Sequence, residues 1–318
     1  MNKLFAILLF TGLIFSCNNS KKEKLSAFDI QNKTNNHPGK KLMETNCYLC
    51  HSPTASNQDR IGPPMIAIKE HYKVNNISKE DFITSIQDWI KNPNSKNAKM
   101  PNEVKRFGVM PKQYYPEKTI AQIAEYLYDF EIEQPNWYKS SNKNNTPKQP
   151  TTANFKNLPY ADRGLKYALT TKAVLGKNLM GTIQKKGTIE ALSFCNERAY
   201  PLTDSMAIVH KANIKRVSDK PRNPNNKANL EELNYINTFK QVISKGDEPQ
   251  PIVKETENNA HVYYPIITNN MCLQCHGKPN KTIEKATLNK INTLYPNDKA
   301  VGYNINEVRG IWSISFEK

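Results

Sequence analysis

Two pentapeptides could do chemistry in this chain: Cys47-Tyr48-Leu49-Cys50-His51 and Cys272-Leu273-Gln274-Cys275-His276. Two thiols one helical turn apart can each form a thioether to a porphyrin vinyl group, and the next residue then presents an imidazole to the iron from the same side. The repeated pattern reads as covalent attachment of two c-type haems, with His51 and His276 as the proximal iron ligands. A lone Cys-Xaa-Xaa-Cys more often serves zinc or disulfide exchange. Here a histidine follows both pairs, and no further cysteine pair exists to complete a four-thiolate zinc site. The chemistry is therefore bounded to redox.

The N-terminus bears on where such groups would be attached. Met1-Asn2-Lys3 is a short basic start, residues 4–15 are apolar apart from Thr11 and Gly12, and Ser16-Cys17 places a small residue before a cysteine. This resembles a bacterial lipoprotein signal, which implies cleavage after residue 16 and a lipid on Cys17. About a dozen apolar residues are too few to span a bilayer comfortably. An ordinary secretory peptide is the alternative, and either exports the chain. Export agrees with c-type haem attachment, which bacteria carry out outside the cytoplasm. The expected location is the cell envelope, lipid-anchored and facing the periplasm. Of six cysteines, one lipid site and four thioether sites leave only Cys195.

The positions of the motifs then require elements to hold them. The net charge of +16 is spread along the chain rather than gathered in one block, so nucleic acid is not implied. A basic surface suits anionic lipid headgroups or an acidic redox partner, though for any single lysine run a solvated face with compositional bias is the preferred reading. Residues 134–157 turn polar, with Pro135, Pro147 and Pro150, and read as a linker. The expected organisation is a signal peptide at 1–16, a tether at 17–31, one haem domain at 32–133, the linker, and a second haem domain at 158–318.

The first domain reads as three helices. One leads through Leu42 and Met43 into Cys47; a second opens at Ser78 with a capping-box pattern and carries Phe82, Ile83, Ile86, Trp89 and Ile90; a third follows Pro116 with Ile120, Ile123, Leu127 and Tyr128 at helical spacing. With an Ile61-Gly62-Pro63-Pro64 loop after the haem motif and a Met-Pro dipeptide before the last helix, the segment resembles the all-α class I cytochrome c fold. That resemblance implies that the Pro63 carbonyl orients His51 through its other ring nitrogen. It also implies a methionine as sixth ligand. Met65, Met100 and Met110 are the candidates; Met110 is preferred because it lies a short loop before the last helix. Each of the three could instead be a packed core methionine.

The second domain mixes helices and strands. Helical spacing runs over 161–185, a second apolar stretch over 189–194 ends at Cys195, and a further helix is expected over 230–244. Strand-like pieces lie at 207–217, 251–255, 261–267 and 310–316, with a hairpin turn at Asn258-Asn259. The class is α+β with a small antiparallel sheet. The segments Ala191-Leu192-Ser193-Phe194-Cys195, Arg216-Val217-Ser218-Asp219-Lys220-Pro221-Arg222, Tyr264-Pro265-Ile266, the second haem motif, Ala300-Val301-Gly302-Tyr303 and Arg309-Gly310 resemble a bacterial PAS-like c-haem domain known from a cyanobacterial haem protein. On base rates Cys195 is a small buried core residue. The resemblance implies instead that it is a thiolate ligand opposite His276, which would lower that haem's potential below that of a His/Met haem. Arg216 and Arg222 are candidates for neutralising haem propionates or for local structural pairing. His37, His71, His210 and His261 have no ligand spacing.

Three functions follow. The first is a membrane-tethered dihaem electron carrier with redox protein partners. The second is a periplasmic redox or gas sensor built on a switchable Cys195–iron bond. The third is a dihaem peroxidase-like enzyme, which needs an open coordination site that neither haem would have.

Overall fold

The computed structural model describes residues 37–138, apart from 59, 75 and 114, and residues 155–318. Cys17 and most of the expected linker lie outside them.

Helix α1 (Pro38–Asn46) starts with proline at its first position and is capped by His37, whose Nδ1 accepts from Gly39 N at 3.1 Å. It crosses the last helix of this half, α5 (Glu117–Asp129), at Gly39. A Cβ there would lie 2.0 Å from the Gln122 carbonyl oxygen, so the crossing needs glycine. Ser78 caps α3 (Lys79–Lys91), its hydroxyl accepting from Asp81 N at 3.1 Å. Phe82 and Ile86 of α3 meet Ile120, Ile123 and Leu127 of α5 in one buried cluster, where Phe82 and Leu127 are fully enclosed.

Three helices were expected here, and five α-helices are present among the described residues. The two additions are α2 (Met65–Tyr72), which follows Pro64, and α4 (Pro101–Phe107), which has Pro101 at its first position. Each is about two turns long, too short for apolar periodicity to register. Gln134 and Pro135, at the start of the expected linker, are buried; Trp137 Nε1 donates to the Ala55 carbonyl at 2.7 Å, and the Tyr138 hydroxyl to Glu70 at 3.0 Å.

The second half begins with α6 (Tyr160–His210), broken only at Gly187, where φ 84° and ψ 176° leave the helical region. The sequence pattern suggested a strand from 207; the helix in fact continues to His210, and Lys211 ends it in the left-handed conformation. The β-branched Ile208 and Val209 mimic a strand, yet both are exposed on the last helical turn. Strand β1 (Ala212–Val217) follows, then α7 (Leu230–Ser244), whose Asn229–Glu232 capping box closes both ways. Next come β2 (Ile252–Glu255), β3 (Asn259–Ile267), the one-turn α8 (Leu273–His276), α9 (Lys285–Leu294), which the sequence reading missed, and β4 (Val308–Glu317).

The sheet is antiparallel throughout in the order β1-β4-β3-β2, so an α+β half with a small antiparallel sheet is what the chain forms. Period-two alternation divides its faces. Val262, Tyr264, Trp312 and Ile314 pack against Leu165 and Ala168 of α6. Tyr263 and Ile311 point the other way, onto Ile236, Phe239 and Ile243 of α7. Residues 37–318 form one compact unit, so the two halves share contacts. Among the described residues no helix is long and apolar enough to cross a membrane.

Candidate functional site

Cys47 ends α1, and the first motif continues from it as a further turn: His51 N donates to the Cys47 carbonyl at 2.9 Å and Cys50 N to the same oxygen at 3.1 Å. That turn puts both thiols and the imidazole on one side. His51 Nδ1 donates to the Pro63 carbonyl at 2.7 Å, which fixes the proton on Nδ1 because a carbonyl can only accept, and frees Nε2. Gly62 lies flat against the ring; a Cβ there would approach Nδ1 to 3.3 Å. Burial lowers the pKa of His51, which favours the neutral ring that a metal ligand needs.

This turn opens on a cavity of about 320 Å³ lined by Cys47, Cys50, His51 and all three candidate methionines, Met65, Met100 and Met110. Met65 N donates to the His51 carbonyl at 3.3 Å, which ties that residue to the histidine side. Met100 caps α4 and is buried; Met110, between α4 and α5, is partly exposed. Arg60 fastens the loop after the motif to α4 through Glu103 at 2.8 Å and the face of Phe107, and it also lies over the Trp137 ring.

The second motif repeats the arrangement on α8. His276 N donates to the Cys272 carbonyl at 2.8 Å, Asn269 Oδ1 accepts from Met271 N and Cys272 N, and His276 Nδ1 donates to the Ala300 carbonyl at 2.8 Å. Both histidines are thus held in one tautomer by a backbone oxygen downstream. Burial, with the charges of Arg309, Arg222 and Arg216, pushes the His276 pKa well down. Arg309 Nε stands 3.3 Å from Nδ1, and its Nη1 donates to Ser218 Oγ at 2.9 Å.

Cys195 on α6 faces this motif. Burial raises its thiol pKa while Arg216 and Arg222 pull it down, and its own charge in turn raises that of Cys275. Just past the Gly187 break, Thr188 Oγ1 donates to Gln274 Oε1 at 2.9 Å, which fastens the Cys195 segment to the motif. Arg222 is engaged in structural pairing. It binds both Asp298 oxygens, at 3.2 and 3.1 Å, and donates to the Cys275 carbonyl at 2.6 Å. Arg216 has no carboxylate partner among the described residues and faces Cys195, Tyr200 and Tyr295.

The structure therefore brings together Cys47, Cys50, His51, Pro63 and the methionines in one place, and Cys195, Arg216, Arg222, Cys272, Cys275 and His276 in another. No group of three or more His, Cys, Asp or Glu converges as a metal site among the described residues. The sequence reading passed over Asp298 and the Ala300 carbonyl, which carry no residue-type signal. It also passed over Lys172, one lysine in a basic chain, and Arg309, named only as part of a resembling segment. The two places adjoin. Met271, just before the second motif, and Gln274 within it line the first cavity, and Leu49 of the first motif packs on Gly176 of α6.

The Tll0287-like family matches residues 112–317, more than half of the chain, and the chain belongs to that family. The match begins ahead of α5 and runs through β4. Among solved structures, the cyanobacterial heme-protein Tll0287 is 22% identical over 48% of this chain and 94% of its own, with a TM-score of 0.36, a likeness too slight to carry an argument. Among curated proteins none matches.

Proposed function

We propose that the chain is an exported dihaem c-type cytochrome that carries electrons, in which His51 and Met110 would hold one haem iron in an N-terminal class I cytochrome c domain and His276 and Cys195 the other in a C-terminal PAS-like domain. The observation that carries this reading is the duplicated histidine geometry. In each Cys-Xaa-Xaa-Cys-His turn the imidazole gives Nδ1 to a backbone carbonyl and keeps Nε2 free, as an iron ligand requires. Membership of a family named after a heme-protein supports it. A haem, when bound, supplies one-electron chemistry between ferric and ferrous iron.

The residues provide the rest. Cys47 with Cys50, and Cys272 with Cys275, would hold the macrocycles by thioether bonds. The Pro63 and Ala300 carbonyls orient the proximal rings, and Arg222 with Asp298 braces the second attachment turn. The methionine-bearing segment around α4 lines the first cavity opposite the attachment turn. Met110 favours ferrous iron and a Cys195 thiolate favours ferric iron, so the two sites differ in potential. By this reading Cys17 carries a lipid that tethers the protein in the periplasm, where it meets redox protein partners.

The break at Gly187 favours a second reading, a redox or gas sensor. It separates the Cys195 segment from the rest of α6, so loss of a Cys195 bond could release that segment without unwinding the whole helix.

Haem per chain, measured on protein matured with a c-type haem attachment system, followed by anaerobic spectropotentiometry, tests the proposal. Two haems and two separated transitions are the expected result; one haem, or two coincident transitions insensitive to Cys195, would overturn it.

A further inference from the structure

One side of α6 follows the first half of the chain. Asp162 pairs with Lys41 at 2.8 Å and, one turn on, Lys166 pairs with Glu44, both partners lying on α1. Farther along, Lys172 lines a second cavity, of about 100 Å³, together with Leu49 and Cys50. Gly176 packs so tightly on Leu49 that a Cβ would come within 2.5 Å of Leu49 Cδ1. The next two positions at four-residue spacing, Met180 and Gln184, line the first cavity with Cys47, Cys50 and His51. Residues four apart share a helix face, so the close contact at Gly176 delivers Met180 to that cavity.

Met271 joins the same cavity from beyond β3, its backbone N held by Asn269 Oδ1 at 3.0 Å. Gln274 lines it too and accepts from Thr188 Oγ1 of α6 at 2.9 Å. The two methionines are half-buried, whereas Gln184 and Gln274 are exposed, so the apolar side chains lie inside and the amides at the rim. Thioethers hold a c-type haem by one edge, and side chains packed beside the Cys47–Cys50 turn cover that edge. With two neutral axial ligands the ferric form carries one more positive charge than the ferrous form. Excluding water penalises the more highly charged state, so such cover raises the reduction potential.

We infer that the first haem site is completed by the second half of the chain: Met180 of α6, with Met271, forms an apolar wall beside the first attachment turn and holds the potential of that haem up. The inference rests on the dihaem reading. Met180 acts by excluding water, not as an iron ligand, and α6 is braced along the first half by the Asp162, Lys166 and Gly176 contacts that put it there.

The test is spectropotentiometry of the haem-loaded full chain as wild type, Met180→Ser, Met180→Leu and Gly176→Val, with haem per chain and absorption bands recorded for each. The upper midpoint is expected to fall in Met180→Ser and in Gly176→Val, which wedges α6 away from Leu49, and to hold in Met180→Leu. In Met180→Ser the lower midpoint and the bands of both haems should stay unchanged. An unmoved upper midpoint in Met180→Ser, an equal fall in Met180→Leu, or an equal shift of the lower midpoint overturns the inference while two haems remain bound. Loss of the methionine-ligation band in Met180→Ser also overturns it, by assigning Met180 to the iron. Should Met180→Ser fail to hold both haems, Gly176→Val decides alone. Fewer than two haems in the wild type overturns the dihaem reading and the inference with it.

Discussion

Arg222 and Asp298 form a bidentate pair whose side chains keep only 11% and 6% of their accessible surface, and the same guanidinium holds the Cys275 carbonyl. Asp298 Oδ1 also accepts from Ala300 N at 2.8 Å, the residue whose carbonyl receives His276 Nδ1. The pair therefore joins both backbone segments that position His276. Arg222→Met would leave Asp298 buried without its partner and should cost about 3–5 kcal/mol. Urea unfolding of the variant beside the wild type checks this, and adding Asp298→Leu should recover part of the loss.

Met100 and Met110 line the same cavity but differ in burial, and two measurements separate them. Met100→Ala should cost about 2–5 kcal/mol in stability, as for a buried methionine, and leave the upper potential in place. Met110→Ala should cost less stability and abolish or lower the upper transition. The reverse pattern, read by unfolding and by spectropotentiometry, would assign the sixth ligand to Met100.

Cys195→Ala removes the anionic ligand proposed opposite His276. The lower transition should move upward and its ferric spectrum should change, while the upper transition stays where it is. Anaerobic titration with absorption at both haems decides this.

His210 stacks on Tyr167 with ring centroids 4.4 Å apart, and its Nε2 lies 2.7 Å from Thr170 Oγ1. Burial lowers its pKa from 6.5, so the folded state binds this proton less readily than the unfolded chain does. The stability contribution is therefore intact above the unfolded value and is lost as pH falls through the lowered folded value. Lowering pH from about 7.5 to about 5.5 should reduce the urea midpoint of the wild type more than that of His210→Phe.

What the sequence made legible was whatever depends on residue type at fixed spacing. The two Cys-Xaa-Xaa-Cys-His turns, the Ser78 cap, the α7 helix and the alternation in β3 and β4 are of this kind. Short elements escaped: α4 spans seven residues and α9 ten, and neither offers enough turns to establish a period. The extension of α6 to His210 was hidden because Ile208 and Val209 have strand-like chemistry while sitting exposed on a helix. Lys172 is one of 45 basic residues, and only its packing between the motifs distinguishes it. The Ala300 carbonyl was invisible for a different reason, since every residue has one.

The wall that Met271 and Gln274 contribute to the first cavity has a consequence for biogenesis. On the dihaem proposal, a macrocycle for Cys47 and Cys50 would have to enter before residues from the far end of the chain complete the cavity. Under the proposed export the segments would emerge in that order, the first motif while the second is still to come. Folding of the C-terminal half then becomes the event that seals the first site, so a chain that folds before its first attachment is complete would be trapped as a half-loaded product.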